Sequence, residues 1–69
     1  MENCEKFFET ADTFKSDLAK VGKAANLQEL NALEAKCVNE LQLMIVELEL
    51  CGRDLKAARD KRERELRNA

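Results

Sequence analysis

The sequence predicts an all-α fold, an antiparallel helical hairpin with a long second helix, coiled-coil-like and oligomeric. Three observations carry this. Apolar residues recur at alternating intervals of three and four over most of the chain. Pro is absent and Gly occurs twice in 69 residues, which leaves no turn chemistry for a many-stranded β fold. Charged residues make up 38%, spread among Leu and Ala in the manner of long helices.

The first helix is expected over about residues 3–21 of a single domain, 1–69. Cys4, Phe7, Ala11, Phe14, Leu18 and Val21 form its stripe, widened by Phe8. Asn3 is a plausible N-cap, and Glu5 favours the positive end of the helix dipole. Gly22 is the natural left-handed residue to close it. The second helix announces its start at Asn26, with Glu29 three positions on, the outline of a capping box. The connection is therefore about four residues, a length that joins antiparallel neighbours.

The second helix is expected over about residues 27–67. Its seam reads Leu27, Leu30, Glu34, Cys37, Leu41, Met44, Leu48, Cys51, Leu55, Ala58, Arg62 and Glu65, flanked by Leu33, Val38 and Ile45. Gly52 falls inside this register and marks either a bend or the start of a third helix near Asp54. Leu48, Cys51, Leu55 and Ala58 keep phase across it, which favours one continuous helix. At 1.5 Å per residue the two helices measure about 28 and 60 Å, so the first covers only part of the second.

Composition excludes much. His is absent, which removes the commonest acid–base catalyst and metal ligand. There is no Gly-rich phosphate loop, no catalytic triad and no metal-ligand spacing, so no enzyme, cofactor or metal is expected. The three cysteines, Cys4, Cys37 and Cys51, are odd in number and lie on the stripes. They read as small buried hydrophobes in a reducing, cytoplasmic compartment rather than as a disulfide framework. Cys37 and Cys51 lie two heptads apart on one helix, roughly 21 Å, so a bond between them is conceivable only across two molecules. The N-terminus, starting Met-Glu-Asn-Cys, lacks the basic and apolar regions expected of a secretory signal, and Leu41–Cys51 is too short and too charged to span a bilayer.

Function is expected in the middle of the second helix. Leu41, Met44, Ile45, Leu48 and Cys51 cluster on one side, and Leu43, Val46 and Leu50 on the other. One hairpin partner covers only one of these faces. Leu43, Val46 and Leu50, with Leu55, are thus the candidate face for a protein partner or a second copy, a dimer first of all. Glu34 in the seam is a candidate for setting register.

The alternative is the C-terminal end. The net charge of −2 divides into −2 over residues 1–22, −3 over 23–52 and +3 over 53–69. Arg53, Lys56, Arg59 and Arg62 are candidate nucleic-acid contacts there. Against them stand interleaved acids at i,i+4, as in Lys56–Asp60, Arg59–Glu63, Asp60–Arg64, Lys61–Glu65 and Glu63–Arg67, and the lack of aromatic stacking residues. In architecture the hairpin is similar in outline to plasmid copy-control RNA-binding hairpins and to the hairpin co-chaperones of bacterial type III secretion. The first resemblance implies a nucleic-acid-binding dimer, the second a chaperone. A purely structural coiled coil is the third reading. The protein-interaction module, of adaptor, chaperone or inhibitor type, is preferred.

Overall fold

The protein, described here over residues 2–68 by a computed structural model, is a rod of 62 × 15 × 13 Å. It is built of two helices, α1 (Glu2–Val21) and α2 (Leu27–Arg67), packed side by side. No strand occurs among the described residues. The length follows from α2, whose 41 residues rise about 62 Å at 1.5 Å each.

The start of α2 is set locally. Asn26 has extended backbone angles, and its side-chain oxygen accepts from the Glu29 N–H at 2.8 Å. The returning arm of the capping box goes one residue further back than the standard motif, Glu29 accepting from the Ala25 N–H at 3.3 Å. Gly22 does not take the left-handed conformation expected of it. No described glycine has positive φ, and α1 ends instead in tight turns, Lys23 N–H donating to the Lys20 carbonyl and Ala24 N–H to that of Val21. Asn3 is not the N-cap of α1, because the helix already includes Glu2.

α2 runs without interruption through Gly52, where an added Cβ would meet nothing within 4 Å.

Three cross-links fix how the helices face each other. Cys4 and Cys51 form a disulfide with their Cα atoms 4.8 Å apart. Asn3 donates from its backbone N–H and its side-chain amide to the two carboxylate oxygens of Asp54, at 3.3 and 3.2 Å. Asp17 pairs with Lys36 of α2 at 3.5 Å, and with Lys20 of its own helix at 3.8 Å. Asp54 thereby occupies the positive end of α1, supplying from the other helix the anion that a local N-cap would have provided. These links set Val21 level with about Glu34, and Glu2 level with about Asp54. Both ends of α2 therefore project beyond α1, by about 10 and 20 Å.

The seam differs from the expected one. α2 turns Leu30, Leu33, Cys37, Glu40, Met44, Glu47, Cys51 and Asp54 inward, one residue ahead of the expected register at every second position. Leu41, Leu48 and Leu55 stay exposed, and so does Glu34. On α1, Asp17 is buried in place of Leu18, which is half exposed. The reason is rotational. Neighbouring helix positions differ by about 100°, and the apolar arc of each helix is broader than one partner covers. The Cys4–Cys51, Asn3–Asp54 and Asp17–Lys36 links select one edge of that arc.

The cysteine expectation is corrected at two of three positions. Cys4 and Cys51 are bonded within one chain, because the antiparallel return brings Cys51 to the first turn of α1. Cys37 is a buried free thiol, as a small core residue should be.

Candidate functional site

The hairpin core is thin. Cys37 and Met44 are the buried hydrophobic side chains, and no described side chain is fully buried. Between them the seam holds acids. Asp17 is only 2% exposed and Glu47 8%. One oxygen of each, and both carboxylate oxygens of Glu40, are buried without a hydrogen-bond partner. Burial first, then a hydrogen bond that only the protonated Glu40 carboxyl can donate to Asp17, and the charge of Asp17, push Glu40 above its ordinary value of 4.5, with Lys36 opposing. Burial, Glu40 and Asp17 likewise raise the Cys37 thiol above 9.0, so it is neutral at pH 7 and a poor nucleophile.

Most of the aliphatic surface is outside this core. Leu43 and Val46 are half exposed, and Leu50 is half-buried beside the seam. These three fall on one narrow strip of α2. Leu55 does not join them: at about 100° per residue it lies 120–180° away, on the other side of the helix. It stands instead in line with Leu41, Ile45 and Leu48, all exposed. Sequence spacing places Leu41, Ile45 and Leu48 at the α1 contact. The structure gives that contact to Met44 and Cys51 and leaves the larger side chains in solvent.

The C-terminal end is knitted by its own charges. Arg53 pairs with Glu49 at 3.8 Å, Arg62 with Glu65 at 3.1 Å, and Arg59 with Asp60 at 3.3 Å. Glu63 sits between Arg59 and Arg67 and pairs with both. Of the pairs expected from spacing, Arg59–Glu63 and Glu63–Arg67 form. Of the candidate nucleic-acid contacts, Arg53, Arg59 and Arg62 are therefore engaged by acids, while Lys56 stands exposed. An open hollow of about 460 Å³, lined by Arg59, Arg62, Glu63, Leu66 and Arg67, lies on this single helix. No group of His, Cys, Asp and Glu suited to a metal ion occurs among the described residues, and no helix is long and apolar enough to cross a membrane.

What sequence reasoning missed are the two buried acids Asp17 and Glu47, with half-buried Glu40 beside them, and the Cys4–Cys51 bond. Both depend on the rotation and level of α1 against α2, for which the sequence has no local signal.

No protein-family model, curated protein or solved structure matches the chain.

Proposed function

We propose that the chain is a small non-enzymatic protein-interaction module of the adaptor, chaperone or inhibitor type, working by helix–helix packing and self-association. One observation carries the reading. Among the described residues the hairpin buries two hydrophobic side chains and leaves eleven large ones exposed, from Phe8 to Leu66. A chain of this size that keeps its aliphatic surface outside the core is completed by another molecule. Leu43, Val46 and Leu50 form the surface on which we place a protein partner. The long α2 is coiled-coil-like in this reading. The compartment that goes with this reading is the cytoplasm, where thiols are held reduced; a Cys4–Cys51 bond that persists in the cell would overturn that placement.

The test is affinity capture with the tagged full chain from nuclease-treated extract, beside Val46→Glu and the double variant Arg59→Gln/Arg62→Gln. A carboxylate placed in an apolar contact lowers affinity by roughly a hundredfold or more. The expected result is that Val46→Glu loses the captured proteins and the arginine variant keeps them. Capture that follows the arginines, disappears with nuclease and weakens steeply with salt belongs to a nucleic-acid binder and overturns the reading.

A further inference from the structure

The exposed aliphatic residues of α2 are ordered. Leu41, Ile45, Leu48 and Leu55 belong to a single stripe that advances in steps of four and three. It starts at Leu27 and ends at Leu66, running the whole helix one position behind the α1 seam. Apart from Leu43 and Val46, every large hydrophobic exposed on α2 lies on it. The two ends of α2 that α1 leaves uncovered are thus joined by one continuous line.

The spacing of the stripe is the same in both directions. Reversed about its midpoint between Ile45 and Leu48, it sets Ile45 against Leu48, Leu41 against Gly52, and Val38 against Leu55. Further out, Asn31 meets Arg62 and Leu27 meets Leu66. Between these, Glu34 falls opposite Arg59, opposite in charge. Glu34 has no ion pair within the chain among the described residues, whereas Arg59 already pairs with Asp60 and Glu63 of its own helix and would share its charge with Glu34. A two-fold axis sets each position of one copy against its mirror position on the other, so these are the pairs that must fit. Gly52 fits too. It has open space around it, room that a two-fold pairing would give to Leu41 of the second copy.

We infer that the partner of this stripe is a second copy of the chain, its α2 antiparallel to the first along the line from Leu27 to Leu66. The inference rests on the interaction-module reading and names one partner and one face. In an antiparallel helix pair, equal rotations from the seam lead to the same side of the hairpin. Phe8 and Leu18 of α1, both exposed, therefore border the stripe and widen the contact. The area agrees. A globular monomer of 7.9 kDa exposes about 4400 Å², whereas the hairpin exposes 5626 Å². The excess is about 1200 Å², and a stable dimer removes about 600–1000 Å² from each partner. Charge agrees as well. The basic C-terminal end of one copy, +3 over residues 53–69, lies along the acidic N-terminal half of the other copy's α2.

Sedimentation equilibrium of the purified full chain, disulfide intact, tests this, with helix content followed by circular dichroism. The parent is expected at twice 7.9 kDa in the micromolar range. Ile45→Glu is expected to weaken association by roughly a hundredfold or more. Ile45 is 67% exposed in the hairpin, so α1 packing does not need it. Because loss of the dimer also loosens a thin hairpin, a charge exchange supplies the second test. Glu34→Arg alone weakens the dimer about tenfold, and Glu34→Arg with Arg59→Glu restores it. A parent that stays monomeric at 100 µM overturns the inference, while capture of other proteins through Val46 still stands by itself. A dimer that survives Ile45→Glu but is lost in Val46→Glu moves the contact to the other strip, overturning the inference and keeping the module. A charge exchange without restoration overturns the antiparallel register.

Discussion

The half of α2 that lies against α1 and the extension beyond it are held by different forces. From about Glu34 to Asp54 the helix is fixed by contacts between distant residues: a disulfide closing 47 positions, the Asn3–Asp54 hydrogen bonds and the Asp17–Lys36 pair. From Leu55 to Arg67 it has only its own i,i+3 and i,i+4 charge pairs, worth a few tenths of a kcal/mol each. About a dozen residues of isolated helix are marginal in water. The paired half thus explains the stability of the hairpin, and the extension, with Leu55 and Leu66 exposed, points to a surface the hairpin does not supply.

The comparison is broken most strongly at the disulfide. In the chain-entropy picture, closing a loop of this length is worth about 4 kcal/mol. Replacing Cys4 and Cys51 together by Ser is expected to lower the stability of α1 packing by up to that amount in urea melts, while the extension is untouched. An unchanged urea midpoint would mean that Asn3–Asp54 and the seam hold α1 without help.

A second change sharpens the role of the buried acids. Glu40 has a raised pKa in the folded state, facing Asp17 from α1 and Lys36 and Cys37 on its own helix. Its protonation therefore favours the fold. That contribution is fully present below 4.5 and is lost as pH rises through the raised value. Thermal midpoints taken at descending pH should show this gain, and Glu40→Gln should flatten it and raise the midpoint at pH 7. A variant less stable than the parent at neutral pH would show that Lys36 outweighs burial.

How much of this is legible in the sequence depends on the range of the interaction that decides it. The all-helical class rests on Leu, Cys and Met at intervals of three and four, and the Asn26 cap on residues three apart. Both are local, and the chain displays them. The choice of Glu40 over Leu41, or Glu47 over Leu48, is a rotation of one position in a helix apolar on several sides. Only the links from Cys4, Asn3 and Asp17 decide it, and these come from the other helix. Leu55 is different: the helical step of about 100° per residue alone sets it apart from Leu43, Val46 and Leu50, with which the candidate face groups it, and no link from α1 is needed to see that.

Gly52→Ala brings a smaller change. The backbone there is helical and the space open, so the substitution should stabilise α2 by up to about 1 kcal/mol. A loss of stability in dilute samples, where no second copy lies against Gly52, would show that the hairpin itself needs the glycine. The smallest effect belongs to the extension. Arg59→Gln with Arg62→Gln removes exposed pairs and should shift the unfolding free energy of the isolated hairpin by only tenths of a kcal/mol. A larger loss in chemical denaturation would make those pairs more than local.

The central claim, that the extension is completed by another copy, is tested most directly by amide hydrogen exchange resolved by residue and followed over protein concentration. The paired half of α2 should be protected in dilute samples. The amides of residues 55–66 should exchange quickly in dilute solution and slow progressively as concentration rises and the antiparallel contact forms. Exchange of residues 55–66 at one rate across that range, fast or slow, would contradict the account.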